Sequence, residues 1–182
     1  MKIGIMQPYF LPYIGYFQLM NLVDNWVVFD NIQYIRHGWV NRNRILSPNL
    51  EKEWQYINVP IKKFSQKSLI NQIEINYNVN WIDQILGRLT YYKKINAPYY
   101  DTIKSLLEPI INKKFKKIHN LNLELIKVIS LYLNLDTKFY ICSKMNFDFH
   151  NDMDPGDWAL EIANQMGASK YINPIGGKEL FN

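Results

Sequence analysis

Between Val27 and Ile45 the chain reads VVFDNIQYIRHGWVNRNRI. Gln33, Arg36, His37, Asn41, Arg42, Asn43 and Arg44 fall within a dozen residues of one another, interleaved with Tyr34 and Trp39. A plain connecting loop has no need of three guanidiniums, an imidazole and three amides around two aromatic rings. A guanidinium offers a planar fork of donors, and amides both donate and accept. Such a group can grip a phosphate, a carboxylate or a sugar. The segment therefore bears on function more than on packing.

Asp30 follows WVVF, at the carboxyl end of a predicted strand. A carboxylate there can accept a proton, bind an amine or orient Arg36; an ordinary turn aspartate is the competing account. His37, the histidine of the cluster, could act as a general base or simply donate hydrogen bonds beside Arg36. If residues 41–44 form a strand, alternation puts Asn41 and Asn43 on one side and Arg42 and Arg44 on the other. Only one pair could then face a ligand, unless a bulge intervenes.

Two further places could hold a ligand. Gln7, Tyr9, Tyr13, Gly15 and Tyr16 lie where a first strand gives way to a helix, and ligands collect beyond strand ends in open α/β sheets. Gly15 could equally serve helix–strand packing, and the tyrosine rings could cover the sheet. Gly176-Gly177-Lys178 could bind phosphate through backbone N–H groups and an ammonium, although it is not the GxxxxGK[ST] of a P-loop. His37, His119 and His150 show no metal-ligand spacing and Cys142 is the only cysteine, so neither a metal site nor an intrachain disulfide is expected. No GxSxG occurs and Cys142 falls in a predicted buried strand, which leaves nucleophilic catalysis by Ser or Cys with little support. No cofactor can be named.

The elements that must position these groups follow from periodicity and punctuation. Lys2–Met6 is an apolar run halted at Pro8. Pro12 precedes a helical period over Tyr13–Leu22, Asp24-Asn25 makes a turn, and Trp26–Phe29 is a second buried strand. This βαβ opening predicts parallel strands. Asn41–Leu46 and Trp54–Ile61 form a hairpin with a long polar loop. Three helices follow: one on Trp81, Ile85 and Leu89, one begun by Pro98 and kinked at Pro109, and one over Leu121–Leu135. Thr137–Cys142 returns to strand. A last helix has Asp154 as N-cap, Pro155 at its first position and Gly167 at its end, before a short strand Tyr171–Asn173 and a loop carrying Gly176-Gly177-Lys178. One α/β domain over residues 1–182, with a helical insertion at 81–135, is the economical reading.

The chain has 182 residues, 48% hydrophobic and 20% charged, which is a soluble globular composition. No apolar run reaches the ~20 residues of a membrane span. MKIGIMQPYF lacks the features of a signal peptide, so cytoplasmic residence is expected. The net charge of +5 is concentrated in Lys113, Lys114, Lys116 and Lys117. These read as a solvated cluster favoured by a helix C-terminus, with contact to nucleic acid or an anionic membrane as the alternative. The excess is too small to predict a stable nucleic-acid complex.

Four segments together, MQPYFLPYIGYFQL, FDNIQYIRHGWVNRNRI, NAPYYDT and YINPIGGKELF, resemble the WbqC-like family over essentially the whole chain. That family is associated with bacterial O-antigen and other surface-polysaccharide gene clusters. The resemblance implies a sugar or nucleotide-sugar substrate, and points to Gln7, Pro8, Pro12, Gly15, Tyr16, Asp30, Gln33, Tyr34, Trp39, Asn41, Arg42, Asn43, Gly176, Gly177 and Lys178. It also implies that this chain is a short form or lacks a C-terminal element. The opening βαβ unit is more loosely similar to that of nucleotidyltransferases, in which two histidines of an HxGH motif contact phosphates; here Tyr13 and Tyr16 hold those places. The expected fold is thus α/β, with a Rossmann-like, partly parallel sheet, a nucleotidyltransferase-like opening, a β-hairpin and a helical insertion. The expected function is a transferase that modifies an amino-sugar precursor by acyl or aminoacyl transfer from an unidentified donor. Asp30 or His37 would take the proton, Arg36, Arg42 and Lys178 would hold the anionic group, and Gln7, Asn41 and Asn43 would hold the sugar or acyl group. A nucleotidyltransferase-type enzyme and a non-catalytic nucleotide-sugar binding module are the alternatives.

Overall fold

Lys2–Met6 (β1) and Asn25–Val28 (β2) pair in parallel, with Ile3 opposite Asn25 and Met6 opposite Val28. All four residues of β2 are buried, as a strand covered on both faces requires. Lys138–Ile141 (β5) pairs in parallel with the outer edge of β2, and Lys170–Tyr171 (β6) with the other edge of β1. The sheet order is therefore β5-β2-β1-β6. These strands come from the computed structural model, which describes residues 1–49, 51–150, 153–154 and 156–181, the last three as backbone only.

The chain divides into two compact units. The first comprises Met1–Gln7, Tyr13–Asn31 and Ser130–Asn182, and contains the parallel sheet. A crossover helix, Ile14–Met20 (α1), joins β1 to β2 and buries Tyr16, Phe17, Leu19 and Met20. Gly4 lies opposite Trp26, and a Cβ at Gly4 would stand 2.8 Å from the indole ring. Its absence lets Trp26 lie flat across the neighbouring strand, where Tyr16 packs edge-on at 4.8 Å between ring centroids. A second helix, Asp157–Gln165 (α5), precedes β6 and buries Ala159, Ile162 and Ala163.

The second unit comprises Pro8–Pro12 and Ile32–Ile129. It contains an antiparallel hairpin, Arg42–Leu46 (β3) and Trp54–Asn58 (β4), then Trp81–Lys94 (α2), Tyr100–Ile111 (α3) and most of Ile118–Tyr132 (α4). Ile57, Val59, Trp81, Leu107, Ile118 and Leu121 meet in its core. Each such buried side chain contributes about 1.5–3 kcal/mol over an exposed one. Asn122 is fully buried on α4, and its Nδ2 donates to the carbonyls of Pro8 and Val40, both at 2.7 Å. One amide thereby fixes the Pro8–Pro12 segment beside the start of the hairpin.

The result is a mixed α/β fold with a parallel sheet and a separate antiparallel hairpin, as the periodicity predicts. Several local expectations change. Asn25 is not in a turn but in β2. The third helix begins at Ile118, not Leu121. Its start is why the Lys113–Lys117 cluster sits between two helices, where Lys116 pairs with Glu74 at 3.3 Å. Glu74 also pairs with Lys62 at 2.8 Å, and these bonds pull its carboxyl below the usual carboxylate range. Pro98 lies ahead of α3, whose N-cap is Tyr99 in a left-handed conformation, and Pro109 sits inside its last turn. Gly156, not Asp154, is the N-cap of α5; Pro155 lies outside the described residues. The expected loop at Gly176-Gly177-Lys178 is a 3₁₀ helix, Ile175–Phe181. Among the described residues no helix is long and apolar enough to cross a membrane.

Candidate functional site

The hairpin separates the amides from the guanidiniums as strand alternation demands. Asn41 and Asn43 are turned to the backbone. Asn41 Oδ1 accepts from the Tyr34 hydroxyl at 2.7 Å, and its Nδ2 donates to the Val59 carbonyl at 2.9 Å. Asn43 Nδ2 donates to the carbonyls of Phe10 and Leu11. These two amides are spent on holding the Pro8–Pro12 segment and the strand ends in place.

Arg42 and Arg44 lie instead among aromatic rings. The Arg42 guanidinium is 4.4 Å from the Tyr56 ring centroid and 5.9 Å from that of Trp39. Its Nε donates to the Gly38 carbonyl at 3.2 Å and its Nη2 to the His37 carbonyl, so it clamps the turn that carries His37. His37 is exposed there, in a left-handed conformation with φ of 61°. Arg44 is opposite Tyr56 in the hairpin register. Its guanidinium is 4.0 Å from the Trp54 centroid, 5.3 Å from Trp39 and 5.6 Å from Tyr56, and Nη2 reaches the Tyr56 hydroxyl at 3.4 Å. That last contact is long for a hydrogen bond and leaves most of the donor fork uncommitted. Trp39 and Trp54 are 36% and 39% exposed, so this ladder of rings and guanidiniums faces solvent.

Two phenols register the charges. The hydrogen bond from Arg44 pulls the Tyr56 hydroxyl below its ordinary pKa, and the Arg42 and Arg44 charges act in the same direction. Burial pushes Tyr34 the other way, against the opposing pull of Arg42 and Arg36. Tyr34 therefore lies within electrostatic reach of both guanidiniums. Its ring stands edge-on to Phe64 at 5.0 Å, and the Arg36 guanidinium lies over the Phe64 ring, 5.0 Å from its centroid. Gln33 Nε2 donates to the Gln66 carbonyl at 2.8 Å.

In the first unit Asp30 and Tyr16 are occupied internally. Asp30 is fully buried beyond β2; its Oδ1 accepts from the Ser143 amide at 2.9 Å and its Oδ2 from the Ser143 hydroxyl at 2.7 Å. It thus caps the 3₁₀ turn Cys142–Lys144 that follows β5. Cys142 is buried beside it, and burial first, with the Asp30 charge second, pushes its thiol up to about 12. Tyr16 is a core residue whose hydroxyl donates to the Gln7 carbonyl at 3.1 Å. Tyr13 is exposed, and its ring folds over Gly15, filling the space a Cβ would need. β1 lies between β2 and β6, which is the switch point of the sheet, and Gln7 and the 3₁₀ helix carrying Gly176, Gly177 and Lys178 follow its two strand ends. Gly177 donates its amide to the Pro174 carbonyl at 2.9 Å, while Lys178 is exposed.

The structure thus gathers Gln33, Tyr34, Arg36, His37, Trp39, Asn41, Arg42 and Asn43 in the second unit, and Gln7, Tyr13, Gly15, Tyr16, Asp30, Gly176, Gly177 and Lys178 in the first. Arg44 belongs to the ladder although Arg36, Arg42 and Lys178 are the cations expected from the sequence to hold the anion; Trp54, Tyr56, Phe64 and Asn122 carry no such expectation. Trp54 and Tyr56 had a visible signal: aromatic residues two apart in a strand share a face, and that face pairs with the arginines of β3. Asn122 had none, being one of two asparagines, with Asn120, near the start of its helix.

Comparison with known proteins places the sequence among relatives. The profile of the WbqC-like protein family matches residues 7–182. An uncharacterized protein of Mycobacterium tuberculosis, Rv1507c, is 26% identical over 176 residues, covering 94% of this chain and 71% of that protein. No solved structure matches.

Proposed function

Because the chain belongs to the WbqC-like protein family, we propose that it is a transferase of surface-polysaccharide (O-antigen) biosynthesis, acylating or aminoacylating a nucleotide-linked amino sugar. The observation that carries this reading is the exposed ladder of Trp39, Arg42, Trp54, Arg44 and Tyr56 on the hairpin. Aromatic faces stack against the apolar faces of sugar rings and nucleobases, and guanidiniums pair with phosphate oxygens. Arg44 is the anion-binding group in this reading, and Arg42 holds the turn that presents His37. In the transfer, the sugar amine attacks the acyl carbonyl of an activated donor. A C–N bond forms, the bond from the carbonyl to the donor's leaving group breaks, and His37 accepts the amine proton.

The test is incubation of the purified protein with nucleotide-linked amino sugars and activated acyl donors, with products read by mass spectrometry. The expected result is a sugar product heavier by the acyl group, lost in Arg44→Ala. Failure of every nucleotide-linked amino sugar to bind in calorimetry overturns the reading. Binding without turnover favours the second reading, a nucleotide-sugar binding module, for which the engagement of both Asp30 oxygens by Ser143 is the supporting observation.

A further inference from the structure

A cleft of about 600 Å³ opens elsewhere in the second unit, lined by Gln33, Tyr34, Ile35, Arg36, Phe64 and Gln66. Its volume is in the range of small-ligand sites. The walls are stitched together by backbone bonds: Tyr34 N donates to the Ser68 carbonyl and Ile70 N to the Ile32 carbonyl, both at 2.9 Å. The loop that carries Phe64 and Gln66 is ordered from within, since the Ser65 amide donates to Ser68 Oγ and the Lys67 amide to Ser65 Oγ. Gln33 Nε2 closes the wall on the Gln66 carbonyl. The cleft is therefore preformed, which spares a ligand the cost of ordering it.

Within these fixed walls Arg36 stands apart. Its guanidinium rests over Phe64, yet among the described residues it makes no hydrogen bond and no ion pair. Stacking on a ring desolvates one face of the guanidinium and leaves its in-plane N–H fork directed outward. The lining holds no carboxylate to compete for that fork, while the amides of Gln33 and Gln66 add donors and acceptors around it. We propose that this cleft is a second ligand site, which binds a small oxyanion, carboxylate or phosphate, through Arg36 stacked on Phe64. The site is independent of the hairpin ladder, and stands if the transferase reading fails.

Titrating the full chain with inorganic phosphate and, separately, with acetate, while following the Arg36 Nε–H and the Gln33 and Gln66 side-chain amides by NMR, tests it. Saturable shifts confined to these groups and Phe64 are expected. Arg36→Ala should weaken binding about ten- to a hundredfold, the range for losing hydrogen bonds to a charged group. Arg36→Lys should fall between, and Phe64→Leu should weaken binding without removing it. Saturation by phosphate alone identifies a phosphoryl ligand and by acetate alone a carboxylate, and either supports the site. Arg44→Ala should leave these shifts unchanged, which separates this site from the hairpin. Shifts that never saturate with either ion, or that saturate in Arg36→Ala at the same concentration as in the unaltered chain, overturn the proposal.

Discussion

Asp30 at the end of β2 and Arg44 on β3 are both charged residues of types that enzymes use, but the structure treats them oppositely. Asp30 is fully buried and both its oxygens accept from Ser143. Arg44 is exposed among three aromatic rings, and its guanidinium makes one long hydrogen bond, to the Tyr56 hydroxyl. A buried polar group must be satisfied by the protein itself, because leaving it unpaired costs about 1–3 kcal/mol or more. An exposed guanidinium can keep donors in reserve at little cost, since water serves them. Residue type alone therefore does not mark a functional group; unspent hydrogen-bonding capacity beside a recognising surface does.

The largest test of this contrast is Asp30→Ala. Removing a carboxylate that accepts two bonds from Ser143 leaves the 3₁₀ turn after β5 without its cap. A loss of about 3 kcal/mol is expected, from two bonds to a charged acceptor at roughly 1.5 kcal/mol each. Chemical denaturation measures it, and calorimetry should show ligand affinity of the still-folded fraction unchanged. A stable variant that loses ligand binding would reverse the roles assigned to Asp30 and the hairpin.

The same contrast runs across the two faces of a single strand. Asn43→Ala should cost about 1–3 kcal/mol of stability, because the carbonyls of Phe10 and Leu11 lose their donor. Arg44→Ala should cost no more than about 1 kcal/mol, the worth of an exposed cation–π contact, while weakening binding of a nucleotide-linked sugar at least about tenfold. Paired denaturation and calorimetry on the two variants check this. If both lose stability equally and neither loses affinity, the arginine face is structural like the asparagine face.

How far the sequence alone carried this picture depends on the range of the interactions involved. The strands β1 and β2, the hairpin and the opposite faces of Asn41/Asn43 and Arg42/Arg44 were legible, because period-two alternation and Pro or Asn punctuation act locally. The fate of each side chain was not. Whether Asn43 met a ligand or a backbone carbonyl depended on Phe10 and Leu11, some thirty residues away in the chain. Asp30 was correctly set at a strand end, yet its partner Ser143 is separated from it by 113 positions. The 3₁₀ helix at Ile175–Phe181 looks like a loop in the sequence because Gly176 and Gly177 suppress helical propensity, and the Gly177 amide bound to the Pro174 carbonyl leaves no sequence trace.

The smallest expected effect is also the most direct reading of the ladder's geometry. Tyr56 ionises more readily than an ordinary phenol, chiefly because Arg44 donates to its oxygen, and the phenolate form gains most from that bond. Tyr34, under the influence of Arg42 and Arg36, still ionises less readily, because burial outweighs both charges. Arg44→Ala should therefore move the Tyr56 titration to higher pH, toward the ordinary value, while Tyr34 stays where it is. Ring-proton NMR through the alkaline range resolves the two phenols. A Tyr56 titration unaffected by the loss of Arg44 would mean that the guanidinium does not rest on the hairpin in solution. It would then be free of the rings that hold it toward a ligand, and the distinction between a poised Arg44 and a spent Asp30 would lose its geometric basis.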